Sequence, residues 1–323
     1  MTDIDRLFEK IDITKYPVKK LIAIPLIILL IAFAVLAYTQ VTVDSPVRLG
    51  IDFKGGTVTK ITTDETKEAL TAKFSAYPVA SIRDTGGGKE KSIEFGPMSE
   101  SQKDELIAML KGEYGSYELK DISPLFGQES QKQAVRALLI AFTLMAIVVF
   151  VVFRTLVPSF AVVLSAFSDI VVAMACMDLI RMELSLGTVA ALLMLIGYSV
   201  DSDILLTRNL LHKKGEVNEK VRNAMKTGIT MTFTTFIAIF AMFLVSSSIH
   251  LFSSHFAPIP ILRDISVVLL FGLVMDLLNT WLLNAGILKW YVEMKEKKKY
   301  GKRSVKSGGK KKNAKKKSKS STV

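Results

Sequence analysis

Four aspartates interrupt the apolar segments of this 323-residue chain. Asp169, Asp201, Asp203 and Asp276 each lie within a run of about twenty mostly apolar residues, the length of a membrane helix. A carboxylate at the centre of a bilayer costs about 2.5–3.5 kcal/mol on insertion scales, so such an acid is rare without a role. A buried carboxyl group can alternate between its neutral and charged forms. We therefore predict these four residues as candidates for a proton relay.

The alternative is that the acids only hold the helices together, through hydrogen bonds to hydroxyl and amide side chains such as Asn279. Polar contacts between membrane helices average about 0.6 kcal/mol, which is less than the insertion cost, so bonding alone explains four acids poorly. Ser199, Thr230 and Thr234 are candidates to line a polar crevice beside the acids. The competing reading of the threonines is a hydroxyl bonded to its own helix backbone.

Asp201 and Asp203 are two residues apart, and successive helical residues turn about 100°. They therefore point roughly 200° apart and cannot face one partner. We expect one of them to face the bundle interior or a sister subunit, and the other a neighbouring helix or a water-filled crevice. Gly197 and Ser199 are small, which predicts a close approach of this helix to a neighbour.

Long apolar runs dominate the rest of the chain, which is 50% hydrophobic and carries a formal net charge of +12. Runs of about twenty residues match a hydrocarbon core of about 30 Å, so we predict an integral membrane protein with a six-helix bundle. The one cysteine, Cys176, excludes an intrachain disulfide. The predicted spans are Leu21–Tyr38, Ala134–Phe153, Pro158–Ile180, Leu184–Leu206, Gly228–Ile249 and Ile265–Leu288.

Basic residues concentrate in alternate connections, while the connections between them are nearly neutral. The positive-inside rule then places both termini in the cytoplasm. The predicted organisation is a cytoplasmic N-terminus (1–20), the first span (21–38), an extracytoplasmic domain (39–133), five further spans (134–288) and a Lys-rich, disordered cytoplasmic tail (289–323). The basic residues that set this orientation are Lys10, Lys15, Lys19, Lys20, Arg154, Arg208, Lys213, Lys214, Lys220, Arg222, Lys226 and those from Lys289 onward.

The region 39–133 reads as an α+β domain of the order β-α-β-β-α-β, the ferredoxin-like arrangement. Its predicted helices are Glu65–Ser75, with Asp64 as a possible cap, and a second helix through Leu110. Ser99 begins this second helix and forms a capping box with Gln102. The predicted strands are Thr57–Thr62, Val79–Arg83, Lys91–Phe95 and Tyr117–Ile122, with a glycine-rich hairpin turn at residues 84–89.

A glycine-rich segment opens this domain, at Gly50, Asp52, Phe53, Gly55 and Gly56. No helix start follows the glycine pair, which makes a phosphate-binding loop a weak interpretation. The remaining interpretations are a turn or bulge that only glycine fits, and a hinge between the first span and the outer domain.

No catalytic constellation, metal cluster or Walker-type loop is found in the sequence, so we predict neither an enzyme nor a cofactor or metal site. His250 and His255 lie in an outer loop without a third ligand nearby, which makes them a weak metal motif.

Three segments resemble the SecD/SecF family of the Sec protein-export machinery. Gly50–Thr57 is similar to the motif that follows the first span in SecD and SecF. Ser123–Glu129 is similar to their entry into the second span, and Thr188–Ser199 to the fourth span of SecF. The resemblance extends over about residues 38–288 with the family's order and spacing.

The resemblance implies a bundle of the resistance-nodulation-division type in the cytoplasmic membrane. It implies an outer domain that contacts the translocating preprotein, SecD as partner beside a SecY-type channel, and coupling to the proton-motive force. Asp201 matches a carboxylate of SecD, whereas Asp203 is an addition to the bacterial pattern. Asp201 is therefore the leading candidate for the relay.

Two other functions stay open at this point. The same bundle could be half of a transporter for lipids or small hydrophobic molecules, or a scaffold of the export channel that conducts no ions. The Lys-rich tail is expected to lie against anionic membrane lipids as a topology anchor, or else to make electrostatic contact with ribosomal RNA or the channel. No specific nucleic-acid partner is predicted.

Overall fold

The computed structural model describes residues 16–85, 90–115, 117–213, 215–252 and 259–295. Residues 1–15, residues 86–89 of the predicted turn, His255 and the tail from residue 296 onward lie outside these ranges, as does the side chain of His250; residues 84 and 85 of that turn belong to a strand. The helices are α1 (Val18–Val43), α2 (Ile51–Lys54), α3 (Lys67–Lys73), α4 (Glu100–Glu113), α5 (Pro124–Phe153), α6 (Leu156–Leu179), α7 (Leu186–His212), α8 (Val217–Phe252) and α9 (Pro260–Leu278), followed by a π-helical segment (Asn279–Asn284). The strands are β1 (Gly56–Thr62), β2 (Val79–Thr85), β3 (Glu90–Phe95) and β4 (Tyr117–Ile122).

Five of the described helices, α1 and α5 to α8, are long and apolar enough to cross a membrane. The sixth predicted span, Ile265–Leu288, begins within α9 and continues through the π-helical segment. The helix α9 is shorter than the other five, at 19 residues, and it carries three charged residues, Arg263, Asp264 and Asp276. The sixth crossing and the orientation of the termini stay predictions.

The bundle core forms where α5 to α9 meet. Each of these helices contributes a buried apolar residue: Val149, Ala166, Leu195, Ile239 and Leu273. The helices α6 and α7 are mostly buried, whereas α1, α5 and α8 leave most of their apolar surface exposed. The two interior helices therefore form the frame on which buried polar groups can be held.

The helix α5 begins at Pro124, earlier than the predicted span at Ala134. Ser123 caps it by accepting a hydrogen bond from the Phe126 amide at 3.3 Å, and proline is favoured in the first turn because it lacks an N–H to satisfy. The helix therefore starts in the polar segment of the outer domain, before the apolar run. The hydrophobic criterion found only its membrane part.

The outer domain has the predicted ferredoxin-like order, and its sheet is antiparallel with the strand order β2-β3-β1-β4. Its apolar core includes Ile61, Leu70, Ile93, Leu106 and Leu110, each at most 1% exposed. The alternation of β1 places every second residue in this core, which is why the strands could be predicted from the sequence.

The two helix caps of this domain have different outcomes. The capping box of Ser99 and Gln102 is confirmed. Asp64 as the cap of the first helix is wrong, because the Thr66 hydroxyl accepts the hydrogen bond from the Ala69 amide at 3.3 Å. The helix α3 is correspondingly shorter than the predicted Glu65–Ser75.

Candidate functional site

Three of the four predicted acids meet in one buried cluster at the centre of the bundle. Asp169 comes from α6, Asp203 from α7 and Asp276 from α9, and none of them is more than 1% exposed. The other members of this acid cluster are the fully buried polar residues Ser199, Asn279, Thr280 and Asn284.

Both carboxylate oxygens of Asp169 accept a hydrogen bond. The Ser199 hydroxyl donates to Oδ2 at 2.5 Å, and Nδ2 of Asn279 donates to Oδ1 at 2.7 Å. These contacts join α6 to α7 and to the π-helical segment. Asp169 is therefore fully satisfied as an acceptor.

Asp203 is satisfied on one oxygen only. Its Oδ1 accepts from the Thr280 hydroxyl at 2.9 Å and from Nδ2 of Asn284 at 2.8 Å. Its Oδ2 is buried and has no hydrogen-bond partner among the described residues. The same Thr280 hydroxyl lies 3.2 Å from Oδ1 of Asp276. Thr280 therefore stands between two carboxyl groups.

The π-helical segment supplies three of these polar groups. Asn279, Thr280 and Asn284 all point into the acid cluster, whereas Trp281 packs against α8 at Gly228, where a Cβ would overlap the indole ring. Short π-helical stretches are rare and frequently occur at functional sites. Sequence reasoning missed Thr280 and Asn284, although the polar pattern Asn-Thr-x-x-x-Asn inside an apolar span could have indicated them.

The described part of the chain places no neutralising cation at the cluster. Among the described residues, no Lys, Arg or His forms an ion pair with Asp169, Asp203 or Asp276, and no group of His, Cys, Asp and Glu is arranged to hold a metal ion. Ionised carboxylates in a dry interior repel each other and lose their hydration. The described structure therefore brings three carboxyl groups together in the bundle interior without a compensating charge.

Asp201 lies on the opposite side of α7 and is exposed, as the 200° separation from Asp203 predicts. Tyr198, which is 41% exposed, shares its outward face. Within the part of the chain that the structure describes, Asp201 forms no hydrogen bond or ion pair, and nothing lies within 4 Å of a Cβ placed on Gly197. The leading candidate of the sequence is thus separated from the other three acids, and the close approach expected at Gly197 is not made inside this chain.

Of the three residues predicted to line a polar crevice beside the acids, only Ser199 lies there. Thr230 and Thr234 are exposed on α8, and their hydroxyls donate to the backbone oxygens of Lys226 and Met231, both at 2.8 Å. These bonds stay within one helix, as threonine allows. The two threonines therefore lie outside the acid cluster, which corrects the expectation that they line it.

A second polar site joins the outer domain to the bundle at the glycine-rich segment. Asp52, in the short helix α2, accepts a hydrogen bond from the Leu186 amide at 3.1 Å through Oδ2, and from Nζ of Lys120 at 2.9 Å through Oδ1. Leu186 is the first residue of α7, so the carboxylate lies at the positive end of that helix. We call this contact the α7 joint.

The backbone around the α7 joint explains the glycines. Gly55 and Gly56 have φ values of 76° and 134°, which other residues rarely adopt. Gly50 donates to the carbonyl of Leu184 at 2.8 Å, and the Phe53 carbonyl accepts from Nε2 of Gln131 at 2.9 Å. The turn interpretation is confirmed by these angles. The hydrogen bonds tie the segment to α5 and to the connection that precedes α7, and the hinge stays a prediction.

A cleft of about 670 Å³ separates the open face of the sheet from the outer ends of the bundle helices. Arg83 of β2 crosses it and pairs with Glu183 at 3.0 Å, in the connection between α6 and α7. Burial raises the pKa of Glu183, and the nearby Glu94 raises it further, while Arg83 acts in the opposite direction. The outer domain therefore contacts the start of α7 at two charged points.

Comparison with known proteins gives a consistent result. A family model described as "Protein export membrane protein SecD/SecF, C-terminal" matches residues 102–294. The "Protein-export membrane protein SecF" of Methanolacinia petrolearia is 45% identical over 283 residues, which cover 87% of this chain and 96% of that protein. The protein of the same description from Haloferax volcanii is 42% identical over 285 residues, covering 87% of this chain and 95% of that one.

Among solved structures, the fold is similar to the crystal structure of SecDF, a translocon-associated membrane protein from Thermus thermophilus. The TM-score is 0.68 at 20% sequence identity, over 90% of this chain. The chain spans only 40% of the length of that SecDF chain. At this identity the similarity concerns the fold.

Proposed function

The chain belongs to the SecF family of protein-export membrane proteins, and on that premise we propose that it acts with SecD to promote preprotein translocation, driven by the proton-motive force. We infer a multi-pass position in the cytoplasmic membrane with both termini in the cytoplasm. The protein catalyses no reaction of its own in this proposal and takes its energy from the proton gradient.

The buried acid cluster is the observation that carries this proposal. Three carboxyl groups from α6, α7 and α9 share hydrogen bonds without a cationic partner among the described residues. Such groups are expensive in a membrane interior, and the cost is understandable where charge must change during function. Gain and loss of protons at this cluster would alternately strengthen and weaken the bonds between the helices.

The position of α7 supports coupling to the outer domain. Ser199 and Asp203 in its middle contact the acid cluster, and its first residue, Leu186, donates to Asp52 at the α7 joint. One rigid helix thus extends from the protonatable groups to the outer domain. A shift of α7 between two positions would move that domain, which is how a local charge change produces a larger motion.

The partners follow from the surfaces that remain. We propose that the outward face of α7 with Asp201 meets SecD, because an exposed carboxylate is costly against lipid. The exposed apolar faces of α1, α5 and α8 would contact membrane lipids or the SecY-type channel. The outer domain would contact the preprotein.

The test compares two substitutions on the same helix, each in full-length protein reconstituted with SecD and the channel. Asp203→Asn is expected to abolish the gradient-dependent part of preprotein export while SecD still co-purifies. Asp201→Asn is the comparison variant: it removes the same charge from the opposite face of α7 and is expected to weaken the association with SecD, which co-purification measures separately. The role of the cluster would be refuted if gradient-dependent export were lost in Asp201→Asn but retained in Asp203→Asn. Export that ignores the gradient in every variant would favour the non-conducting scaffold.

A further inference from the structure

Thr280 has one hydroxyl hydrogen but two carboxyl neighbours. Its Oγ1 lies 2.9 Å from Oδ1 of Asp203 and 3.2 Å from Oδ1 of Asp276. A hydroxyl donates a single hydrogen bond, so it cannot satisfy two ionised carboxylates at once. The two distances fit a state in which one contact runs the other way, with a protonated carboxyl group donating to Oγ1.

The pair of Asp203 and Asn284 also lacks a donor. Nδ2 of Asn284 already donates to Oδ1 of Asp203, while the second oxygen of each side chain is fully buried without a partner among the described residues. Both of these atoms are acceptors when Asp203 is ionised. The missing donor can be a proton on Asp203 or the hydroxyl of Ser165, which is also buried without a partner among the described residues and lies beside Asp203.

We propose that the Thr280 hydroxyl is the bridge over which a proton passes between Asp276 and Asp203. When Asp203 is ionised and Asp276 is protonated, Asp276 gives its proton to Oγ1 of Thr280 as Thr280 gives its own hydrogen to Oδ1 of Asp203. One O–H bond breaks and one forms at the threonine, so the hydroxyl is regenerated. Asp276 ends ionised and Asp203 protonated, and the reverse transfer uses the same atoms.

Asn284 acts as the positioning residue of this bridge. Its amide donates to the same oxygen of Asp203 that faces Thr280, at 2.8 Å, and so holds that oxygen toward the hydroxyl. Thr280 and Asn284 both belong to the π-helical segment, which places them on one side. Asp169 is the remaining titratable group beside the pair within the described residues, and Ser199 and Asn279 already occupy both of its oxygens.

The inference rests on the proposed function, and its test reads protons directly. Time-resolved infrared spectroscopy would follow the C=O stretch of protonated carboxyl groups after a pH jump, in full-length protein with SecD in lipid. Asp203→Asn and Asp276→Asn assign the two signals. Thr280→Val is expected to slow the transfer between them at least ~100-fold, because a positioned proton donor and acceptor has been removed.

Two variants make the comparison specific. Thr280→Ser keeps the hydroxyl and should transfer near the wild-type rate. Thr207→Val makes the same chemical change at another fully buried threonine, whose hydroxyl bonds to no described residue, and should leave the transfer unchanged. Should Thr280→Val fail to assemble with SecD, Thr280→Ala is the second variant, because its side chain holds no hydrogen that could be exchanged.

Wild-type transfer in Thr280→Val or Thr280→Ala would overturn the bridge, as would slow transfer in Thr280→Ser. Export assays separate this result from the proposed function. If Asp203→Asn exports normally while Thr280→Val blocks the infrared transfer, the bridge stands and the coupling to export falls. If Asp203→Asn stops export while Thr280→Val transfers protons at the wild-type rate, the coupling stands and the bridge falls.

Discussion

Removal of the Asp52 carboxylate is expected to destabilise the first turn of α7. In the structure this side chain is 12% exposed and accepts from the Leu186 amide at 3.1 Å and from Lys120 at 2.9 Å. Asp52→Ala removes both hydrogen bonds and leaves the Leu186 amide without its side-chain acceptor. The α7 joint should therefore loosen although neither the sheet nor the bundle core is touched.

The two contacts of Asp52 differ in strength. A hydrogen bond to a charged group contributes about 1.5–3 kcal/mol, and a carboxylate at a helix N-terminus gains a further ~0.3–1 kcal/mol from the helix dipole. The ion pair with Lys120 contributes only about 0.2–1 kcal/mol, because the lysine side chain is 61% exposed and its charge is screened by water. We therefore expect about 2–3 kcal/mol for Asp52→Ala, toward the lower end of these combined ranges, and at most about 1 kcal/mol for Lys120→Ala.

Hydrogen exchange at the first amides of α7 measures this difference locally. A loss of about 2–3 kcal/mol corresponds to exchange that is roughly 30- to 150-fold faster, since each 1.4 kcal/mol is tenfold. Asp52→Asn keeps the shape and one acceptor oxygen and should lie between the two variants. Equal acceleration by Lys120→Ala and Asp52→Ala would refute the reasoning, as would an effect of Asp52→Ala below about threefold.

Two other perturbations test the packing and the charge of the same frame. Gly272→Ala should destabilise the protein by about 1–3 kcal/mol and lower its unfolding temperature, because the new Cβ would overlap Leu195 on α7. Gly197→Ala is the control, since a Cβ at that position meets nothing within 4 Å. An equal loss of stability in both variants would contradict the close packing at Gly272. Burial raises the pKa of Glu183 above its ordinary value of 4.5, so the folded state holds this proton more tightly than the unfolded chain. The stability from Glu183 is therefore fully present below pH 4.5 and falls as the pH rises above it, and Glu183→Gln should flatten that part of the pH profile of thermal unfolding. An unchanged profile would show that the ion pair with Arg83 outweighs burial.

Much of the fold could be read from the sequence because the signals are local. Apolar runs of membrane length, the alternation of β1 and the capping box at Ser99 each depend on neighbouring residues only. Even the opposite directions of Asp201 and Asp203 follow from the helical period. The sequence did not predict the helix cap at Thr66 or the start of α5 at Pro124, because several neighbouring polar residues could each have marked the boundary.

The acid cluster, in contrast, was decided by the tertiary structure. The helical period fixes the angle between two residues of one helix, but the rotation of that helix about its own axis is set by the helices packed against it. Those neighbours are distant in sequence: Asn279 and Asp169 are 110 residues apart, and Asp203 and Asn284 are 81 apart. The sequence determined that four acids lie in long apolar runs. Packing decided that three of them meet in one buried cluster while Asp201 faces outward.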